Sequence, residues 1–533
     1  MKAQIEIKSF IQPFERELAV LELAALSGTT PVALDGDASV ATVFEVTGDF
    51  EVSQLEKRLS YWRSVKVSEE VLTHQIRAEA TSIIANNGLD AAALRDRTKE
   101  LVPHKLPNRR CLRYASHGLH EYRGKFFPQL VRALINIGQV PDLGIVLDPM
   151  CGSGTTLVEA KSSGHVGIGI DMNPLSIFLA DIKCQVLDFD AETLINSFDM
   201  LSQKLQYLEA NRQNDNWRDR FAATDQKYLG RWFSEQCLME LDYTLCAIDA
   251  IENAYYRDFF RVCLSNVLRP VSYQKDADLR VRKEVKDYST GELQTRFINA
   301  CEKSVKLAVC YLSEFPEQKS LLRHRVIAGD ARGFLAESPD LHESVDAIIT
   351  SPPYATALPY LDTDRLSLIV LGLLERSEHR ARDLRMIGNR EITERLRRNY
   401  WETFESEREL LPLGTRELIE RVHYLNLNAD VGFRRKNLSS LLAKYFLDMR
   451  SVLDESYRVL KSGAPMYLVV GNNRTTAGGQ DVEIETASHL AELGKMIGFE
   501  CQNRINMDML ASRDIFKGNA MASEQIVCLR KPQ

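Results

Sequence analysis

The feature that most constrains this chain is a glycine turn set between two apolar runs, each ending in an aspartate. Gly144-Ile145-Val146-Leu147-Asp148 leads into Pro149-Met150-Cys151-Gly152-Ser153-Gly154-Thr155-Thr156. A helix-forming stretch follows from Leu157, then Val166-Gly167-Ile168-Gly169-Ile170-Asp171. Short apolar runs of this kind, buried on both faces and separated by a helix, have the pattern of parallel strands in a doubly wound sheet. The unit is therefore βαβ. Gly152 and Gly154 let backbone approach a ligand closely, and the helix start offers unpaired N–H groups to it. Asp171, about 20 residues on, stands where ribose hydroxyls would lie, so the pattern fits a nucleoside cofactor. The dinucleotide fingerprint requires a third glycine three residues after Gly154, and position 157 is Leu.

A second constellation sits far downstream. Val345-Asp346-Ala347-Ile348-Ile349-Thr350 has strand character, and Ser351-Pro352-Pro353-Tyr354 follows it directly. That is the carboxyl edge, where open α/β sheets bind their ligands. Two successive prolines fix the backbone and remove its N–H donors, leaving carbonyls to face a substrate amine. The Ser351 hydroxyl and the Pro352 carbonyl can both accept from an amino group, and the Tyr354 ring can stack on the base that carries it. Taken alone, the tetrapeptide also reads as a rigid turn with an incidental tyrosine. Coupled to the glycine turn with Asp148 and Asp171, it points to chemistry.

A chain of 533 residues exceeds the ~250–300 that one hydrophobic core supports. Residues 1–103 read as a small α+β domain, with helical stretches at Glu15–Leu26 and Val67–Ala85 and an apolar run at 41–46. Residues 104–186 and 321–533 carry the doubly wound pattern, with further strand candidates at 325–330, 345–350 and 465–470 and a closing hairpin from 501–507 and 525–529. Residues 187–320 read as a helical insertion. Residues 373–445 read as a second, basic one, since Arg376, Arg380, Arg382, Arg385, Arg390, Arg395, Arg397 and Arg398 crowd its first part. A solvated helix face laced with i,i+4 pairs would show the same charges.

The net charge of −7 weighs mildly against a nucleic-acid partner, because phosphate binding relies on Lys and Arg. The ten cysteines include no C-x-x-C pair, so no metal site and no disulfide framework are expected. No run approaches the ~18–20 apolar residues of a membrane span, and the first residues lack a signal-peptide core, so a cytoplasmic protein with no membrane contact is expected.

Residues 117–181, 324–372 and 448–475 resemble the amino-methyltransferases of DNA, whose cofactor signature is D-P-F-x-G-S-G-T-T and whose catalytic signature is [D/N/S]-P-P-[Y/F]. Met150 stands here where the signature has Phe. The resemblance implies a Rossmann-like, class I methyltransferase sheet with S-adenosylmethionine as cofactor. Its binding residues would be Asp148, Pro149, Met150, Gly152, Ser153, Gly154, Thr155, Thr156 and Asp171. Lys125 and Phe126 would join them from the segment His117–Pro128, which resembles the family motif preceding the first strand. Asp330, at the end of the third strand, would hold the adenine amine; an Asp there is also a common helix cap.

Ser351, Pro352, Pro353 and Tyr354 would be the catalytic residues. The serine form of the motif favours N4 of cytosine over N6 of adenine, and the substrate would be double-stranded DNA with the target base flipped out. Either insertion could hold the target-recognition region; the basic one, 373–445, which follows directly on the catalytic loop, is favoured for DNA contacts, and a restriction or defence component would be the usual companion. Guanine-N2 methylation of transfer RNA and a catalytically silent nucleic-acid-binding scaffold are the competing readings. C5-cytosine chemistry needs a nucleophilic cysteine, usually after proline; no Pro-Cys dipeptide occurs, and Cys151 is assigned to packing.

Overall fold

The computed structural model describes the whole chain except residues 98–104, 123–125, 211–215, 276–280, 317–322, 356–359, 390–391, 428 and 508–523, and the side chain of residue 360. Fourteen strands are named in chain order. β1 (Lys2–Ile7), β2 (Val32–Ala33), β3 (Val43–Thr47), β4 (Trp62–Lys66) and β5 (Glu70–Leu72) make an antiparallel sheet in the order β2-β3-β1-β4-β5. The helical stretch expected from Val67 to Ala85 is split. Its first part is β5, paired with β4, and the helix begins only at His74, where the Thr73 hydroxyl accepts the Ile76 N–H at 3.3 Å. An N-cap of this kind fixes a helix start against a preceding strand.

The central sheet contains β6 (Ile145–Asp148), β7 (Val166–Asp171), β8 (Arg325–Ala328), β9 (Ala347–Thr350), β10 (Pro465–Gly471), β13 (Glu500–Met507) and β14 (Glu524–Arg530); β11 (Asn473–Ala477) and β12 (Gln480–Ile484) form a separate hairpin. The strand order is β13-β14-β10-β9-β6-β7-β8. β8, β7, β6, β9 and β10 are mutually parallel, while β14 runs antiparallel between β10 and β13. The order reverses at β6, which has β7 on one side and β9 on the other. That switch point opens a crevice at the carboxyl edge, beside both motifs.

Alternate residues send side chains to opposite faces of the sheet. Ile348, Met466, Leu468 and Val470 join one buried cluster with helices Leu438–Val459 and Thr486–Ile497. Ala347, Ile349, Tyr467 and Val469 join the other, which also contains helix Pro128–Ile137 and the N-terminal residues Ile5, Phe14, Leu18 and Trp62. The N-terminal domain thus shares a core with one face of the central sheet. Buried Glu22 of its first helix accepts from the Asn136 side-chain amide at 3.0 Å, fixing that contact with polar geometry.

Residues 187–320 are helical as expected, but their core is not closed by them alone. Leu361, Leu366, Leu368 and Ile369, from helix Tyr360–Val370 just after the catalytic tetrapeptide, are buried in the same cluster as Leu238, Leu241, Phe259 and Phe297. The boundary expected at 445 falls inside one continuous helix, Leu438–Val459, with Tyr445 and Phe446 buried against the sheet. The basic insertion therefore ends near 437, because a 22-residue amphipathic helix presents one uninterrupted apolar stripe to the sheet.

Candidate active site

The cofactor turn is built from the backbone outward. β6 ends at Asp148, which is buried. One carboxylate oxygen accepts the Thr156 hydroxyl at 2.8 Å and the other the Met150 N–H at 3.1 Å. Thr156 thus ties the start of helix Thr155–Ser162 to the strand that precedes it. Gly154 has φ +80°, and a Cβ there would lie 2.7 Å from both Cα and Cβ of Ala180. Only glycine lets this turn meet helix Pro174–Val186. Gly167 and Gly169 of β7 make similarly close approaches to Leu157 and Cys151.

Asp171 ends β7 and reaches back to the turn. Its oxygens accept the Gly152 N–H at 2.9 Å and the Asn173 N–H at 2.8 Å. Burial pushes both Asp148 and Asp171 up to about 6, against the backbone and hydroxyl hydrogen bonds that favour their ionised forms. Burial also pushes the Cys151 thiol well above its ordinary value, so it is no nucleophile at neutral pH.

A cleft of about 660 Å³, including its open mouth, lies at this edge, lined by Pro149, Met150, Gly152 and Asp171 on one side and by Ser351 and Pro353 on another. Gly329 and Asp330 at the end of β8 contribute to the wall. Both Asp330 oxygens are engaged by the Arg332 guanidinium, at 2.6 and 2.8 Å, and Arg332 also reaches Asp448 at 2.8 Å. Burial would raise the Asp330 carboxyl, but Arg332 holds it below its ordinary value. Asp330 also accepts the Arg332 N–H, so it serves locally as a turn-forming group.

Asp148, Ser153, Gly154, Thr155 and Thr156 support the turn just off the cleft wall, and Pro352 and Tyr354 adjoin the wall residues Ser351 and Pro353 in the chain. The Tyr354 hydroxyl donates to Glu524 Oε1 at 2.8 Å, anchoring the end of the tetrapeptide to the start of β14. Phe126 packs against the core cluster shared with the N-terminal domain and is not on the wall. Lys125 lies outside the described residues.

Four wall positions carry no motif signal: Met172, Ala331, Met386 and Ile387. A fifth, Tyr122, sits inside the segment His117–Pro128 but was not singled out. Its ring would come within 3.1 Å of a Cβ at Gly152, and its hydroxyl pairs with Ser176 at 2.9 Å. The segment is anchored from below by buried Glu159, which accepts from the Tyr114 hydroxyl at 2.8 Å, pairs with His117 Nε2 at 2.7 Å and binds Arg132 at 2.8 Å. Burial opposes the Glu159 charge, yet Arg132 and His117 hold its carboxyl down at about 2.

The basic stretch 376–398 is partly structural. Arg382 donates to the Met172 carbonyl at 3.1 Å, the Arg376 N–H binds Asp225, and the Arg376 guanidinium lies over the Tyr228 ring.

Strand order, glycine turn and acid-tipped second strand define a Rossmann-like, class I methyltransferase fold. A family model described as DNA methylase matches residues 59–179. Type II methyltransferase M.MjaII of Methanocaldococcus jannaschii is 24% identical over 324 residues, 46% of this chain and 60% of that protein. Type II methyltransferase M.BsoBI of Geobacillus stearothermophilus is 23% identical over 416 residues, 72% of this chain and 78% of that protein. The tRNA (guanine(10)-N2)-dimethyltransferase of M. jannaschii is 28% identical over 130 residues, 24% of this chain and 35% of that protein. The chain thus spans three-fifths of the first relative's length and under four-fifths of the second's.

Over these residues the chain is similar to DNA amino-methyltransferases, and S-adenosylmethionine is the cofactor this likeness supports. The cleft fits that group: Gly152 clears space beneath Tyr122, Asp171 stands on the wall, and the buried Ser153 hydroxyl has no partner among the described residues. Among the described residues no cluster of side chains could hold a metal, and no helix is long and apolar enough to cross a membrane.

Proposed function

We propose that the chain is a site-specific DNA methyltransferase acting on the N4 amine of cytosine in double-stranded DNA. The observation that carries this reading is that Ser351 and Pro353 line the same cleft as Gly152 and Asp171. A base amine and a cofactor methyl can therefore meet in one cavity. S-adenosylmethionine supplies a methyl group made electrophilic by its sulfonium.

The protein's task follows from the amine. Its lone pair is delocalised into the ring, so nitrogen must be aligned for attack and given acceptors as positive charge develops. In this reading the Ser351 hydroxyl oxygen and the Pro352 carbonyl are those acceptors, preorganised by the two prolines. Asp171 accepts from ribose hydroxyls, Ser153 and the Gly152 backbone face the cofactor, and Asp148 with Thr155 and Thr156 hold the turn in shape. Met150 and Tyr122 supply apolar wall, and Asp330 reaches the adenine amine when Arg332 yields a carboxylate oxygen. Flipping the base costs a few kcal/mol, and stacking on Tyr354 would return roughly 1–3 kcal/mol. The proton lost from nitrogen leaves to solvent through the open mouth.

The serine in the tetrapeptide supports cytosine N4 over adenine N6. A restriction or defence setting is proposed on the type II relatives, and a cytoplasmic location on the same reading. The partial likeness to the transfer-RNA enzyme favours guanine N2 of RNA as the second reading. Incubation with labelled cofactor and either DNA or transfer RNA, followed by digestion to nucleosides, separates them. Labelled N4-methylcytosine is expected; label only in N6-methyladenine or in RNA overturns the assignment.

A further inference from the structure

Three large apolar side chains are exposed within ten residues among basic neighbours: Tyr424 at 60%, Leu427 at 66% and Phe433 at 52% exposure. They belong to helix Leu413–Leu427 and to the turn Phe433–Lys436 that follows. Arg421, Arg434, Arg435 and Lys436 are exposed beside them. Between 421 and 436 the only acid is Asp430, so four basic residues against one acidic give +3 in a chain of net charge −7. Apolar and basic side chains on one ridge are the composition of a surface that meets nucleic-acid backbone.

This exposure belongs to an ordered element. The opposite face of the helix, with Thr415, Leu418, Ile419, Val422 and Asn426, is buried. Asn426 donates to the Arg435 carbonyl at 2.8 Å and accepts the Gly478 N–H at 3.0 Å. A Cβ at Gly478 would lie 2.5 Å from the Leu425 carbonyl oxygen, so the β11–β12 hairpin tip is pressed onto the helix end.

The hairpin also locates the ridge. β10 runs parallel to β9 with Leu468 opposite Thr350, so Gly471 and Ser351 leave the sheet at the same edge. β11 starts two residues later, at Asn473, and its five residues span ~17 Å at ~3.3 Å each. The ridge is thus joined through this hairpin to the sheet edge at which the catalytic tetrapeptide also leaves β9.

From this we infer that the ridge formed by Arg421, Tyr424, Leu427, Phe433, Arg435 and Lys436 is a docking surface for duplex DNA. It rests on the DNA reading above and narrows the nucleic-acid contact from the Arg-rich start of the insertion to its far end. The cations neutralise phosphates, and Phe433 and Tyr424 lie against the sugars and base edges of the adjoining groove.

The test uses the full-length protein, a fluorescent 30-bp duplex of random sequence and a salt titration. Each phosphate contact contributes ~0.9 to the slope of log K against log salt, so R435Q/K436Q should reduce that slope by about 1.8 and weaken binding at least tenfold at 0.15 M salt. F433A should lower kcat/KM on genomic DNA more than tenfold through KM. In both variants cofactor affinity by calorimetry stays at the wild-type value. K57Q/K66Q removes two exposed charges from the N-terminal domain, on the other face of the sheet, and should leave the slope unchanged. An unchanged slope in R435Q/K436Q, an equal loss in K57Q/K66Q, or a dimer in sedimentation that F433A dissolves while DNA binding persists would overturn the surface. Failure of the activity reading looks different: the wild type binds duplex with the full slope, the variants lose it, yet no methyl reaches DNA.

Discussion

Lowering pH from 7 to 5 should weaken cofactor binding about tenfold, and the reason is Asp171. Burial raises its carboxyl to about 6, so it is ~90% ionised at pH 7 and ~10% at pH 5, a loss worth ~1.4 kcal/mol if binding needs the anion. The anion is needed because both oxygens already accept backbone N–H groups, from Gly152 and Asn173. Only the remaining carboxylate lone pairs are left for ribose hydroxyls, and a proton would occupy one. Glu159, held at about 2, does not titrate in this window, and the cofactor's α-amine stays charged throughout it.

The sign for stability is opposite to the usual aspartate case. Asp148 and Asp171 have folded values near 6 against an ordinary aspartate value of 3.8. The native state therefore binds more protons than the unfolded chain between those values, and these two groups oppose folding at neutral pH and cease to do so as pH falls. The thermal shift produced by S-adenosylmethionine should shrink below pH 6 even though the destabilisation from this pair is progressively relieved there. Calorimetry of wild type and D171N across pH 5–7 measures the effect. A flat wild-type profile refutes the argument, and a full tenfold dependence retained in D171N moves it to Asp148.

G154A combines a left-handed alanine, ~1–2 kcal/mol, with overpacking against Ala180, ~1–3 kcal/mol, so urea unfolding should show a loss of about 2–5 kcal/mol; G164A, with φ +86° and open space around it, should show only the backbone part. Y354A should abolish most methyl transfer while cofactor binding survives, whereas Y354F, which keeps the ring and loses the hydroxyl's bond to Glu524, should fall several-fold in kcat; equal rates for Y354A and wild type would remove the ring from the mechanism. E159Q leaves Arg132 buried with a weakened partner, and a destabilisation approaching the ~3–5 kcal/mol of a broken buried pair is expected in thermal unfolding, with kcat/KM restored at low temperature if the residue only positions the aromatic segment.

The parts legible in the sequence are those where one local signal determines one local shape. Ile145–Asp148 and Val166–Asp171 are apolar runs cut off by an acid, and the strands end at those acids. Gly154 announces a turn that no other residue could make against Ala180. The less legible parts depend on partners distant in the chain. Nothing local marks Tyr360–Val370 as belonging to the core of residues 187–320, because its apolar positions suit any helix interface. Met386 and Ile387 reach the cleft wall from inside an arginine-rich stretch, where charge rather than apolar spacing draws attention. Phe126 was read by motif position, but its neighbour four residues back, Tyr122, faces the cleft, and the difference is a matter of which side chain the loop turns inward.

The same logic makes the proposed DNA-docking ridge compatible with a net acidic chain. Charge summed over the chain averages surfaces that never meet the ligand. What matters is where the inserted segments leave the sheet. The segment after β9 and the hairpin after β10 both depart from the carboxyl edge, and each returns to the core only after building outward there. Helix Leu438–Val459 repacks the first of them on the sheet, and Asn426 with Gly478 joins the two at their far ends. The acids of Arg332's network, Asp330 and Asp448, are neutralised within the wall, whereas Arg435 and Lys436 stand exposed at the junction. On the proposed function, an added segment at this edge would change which DNA is bound without altering the turn or the tetrapeptide, since neither the Asp148–Thr156 bond nor the Tyr354–Glu524 bond passes through it.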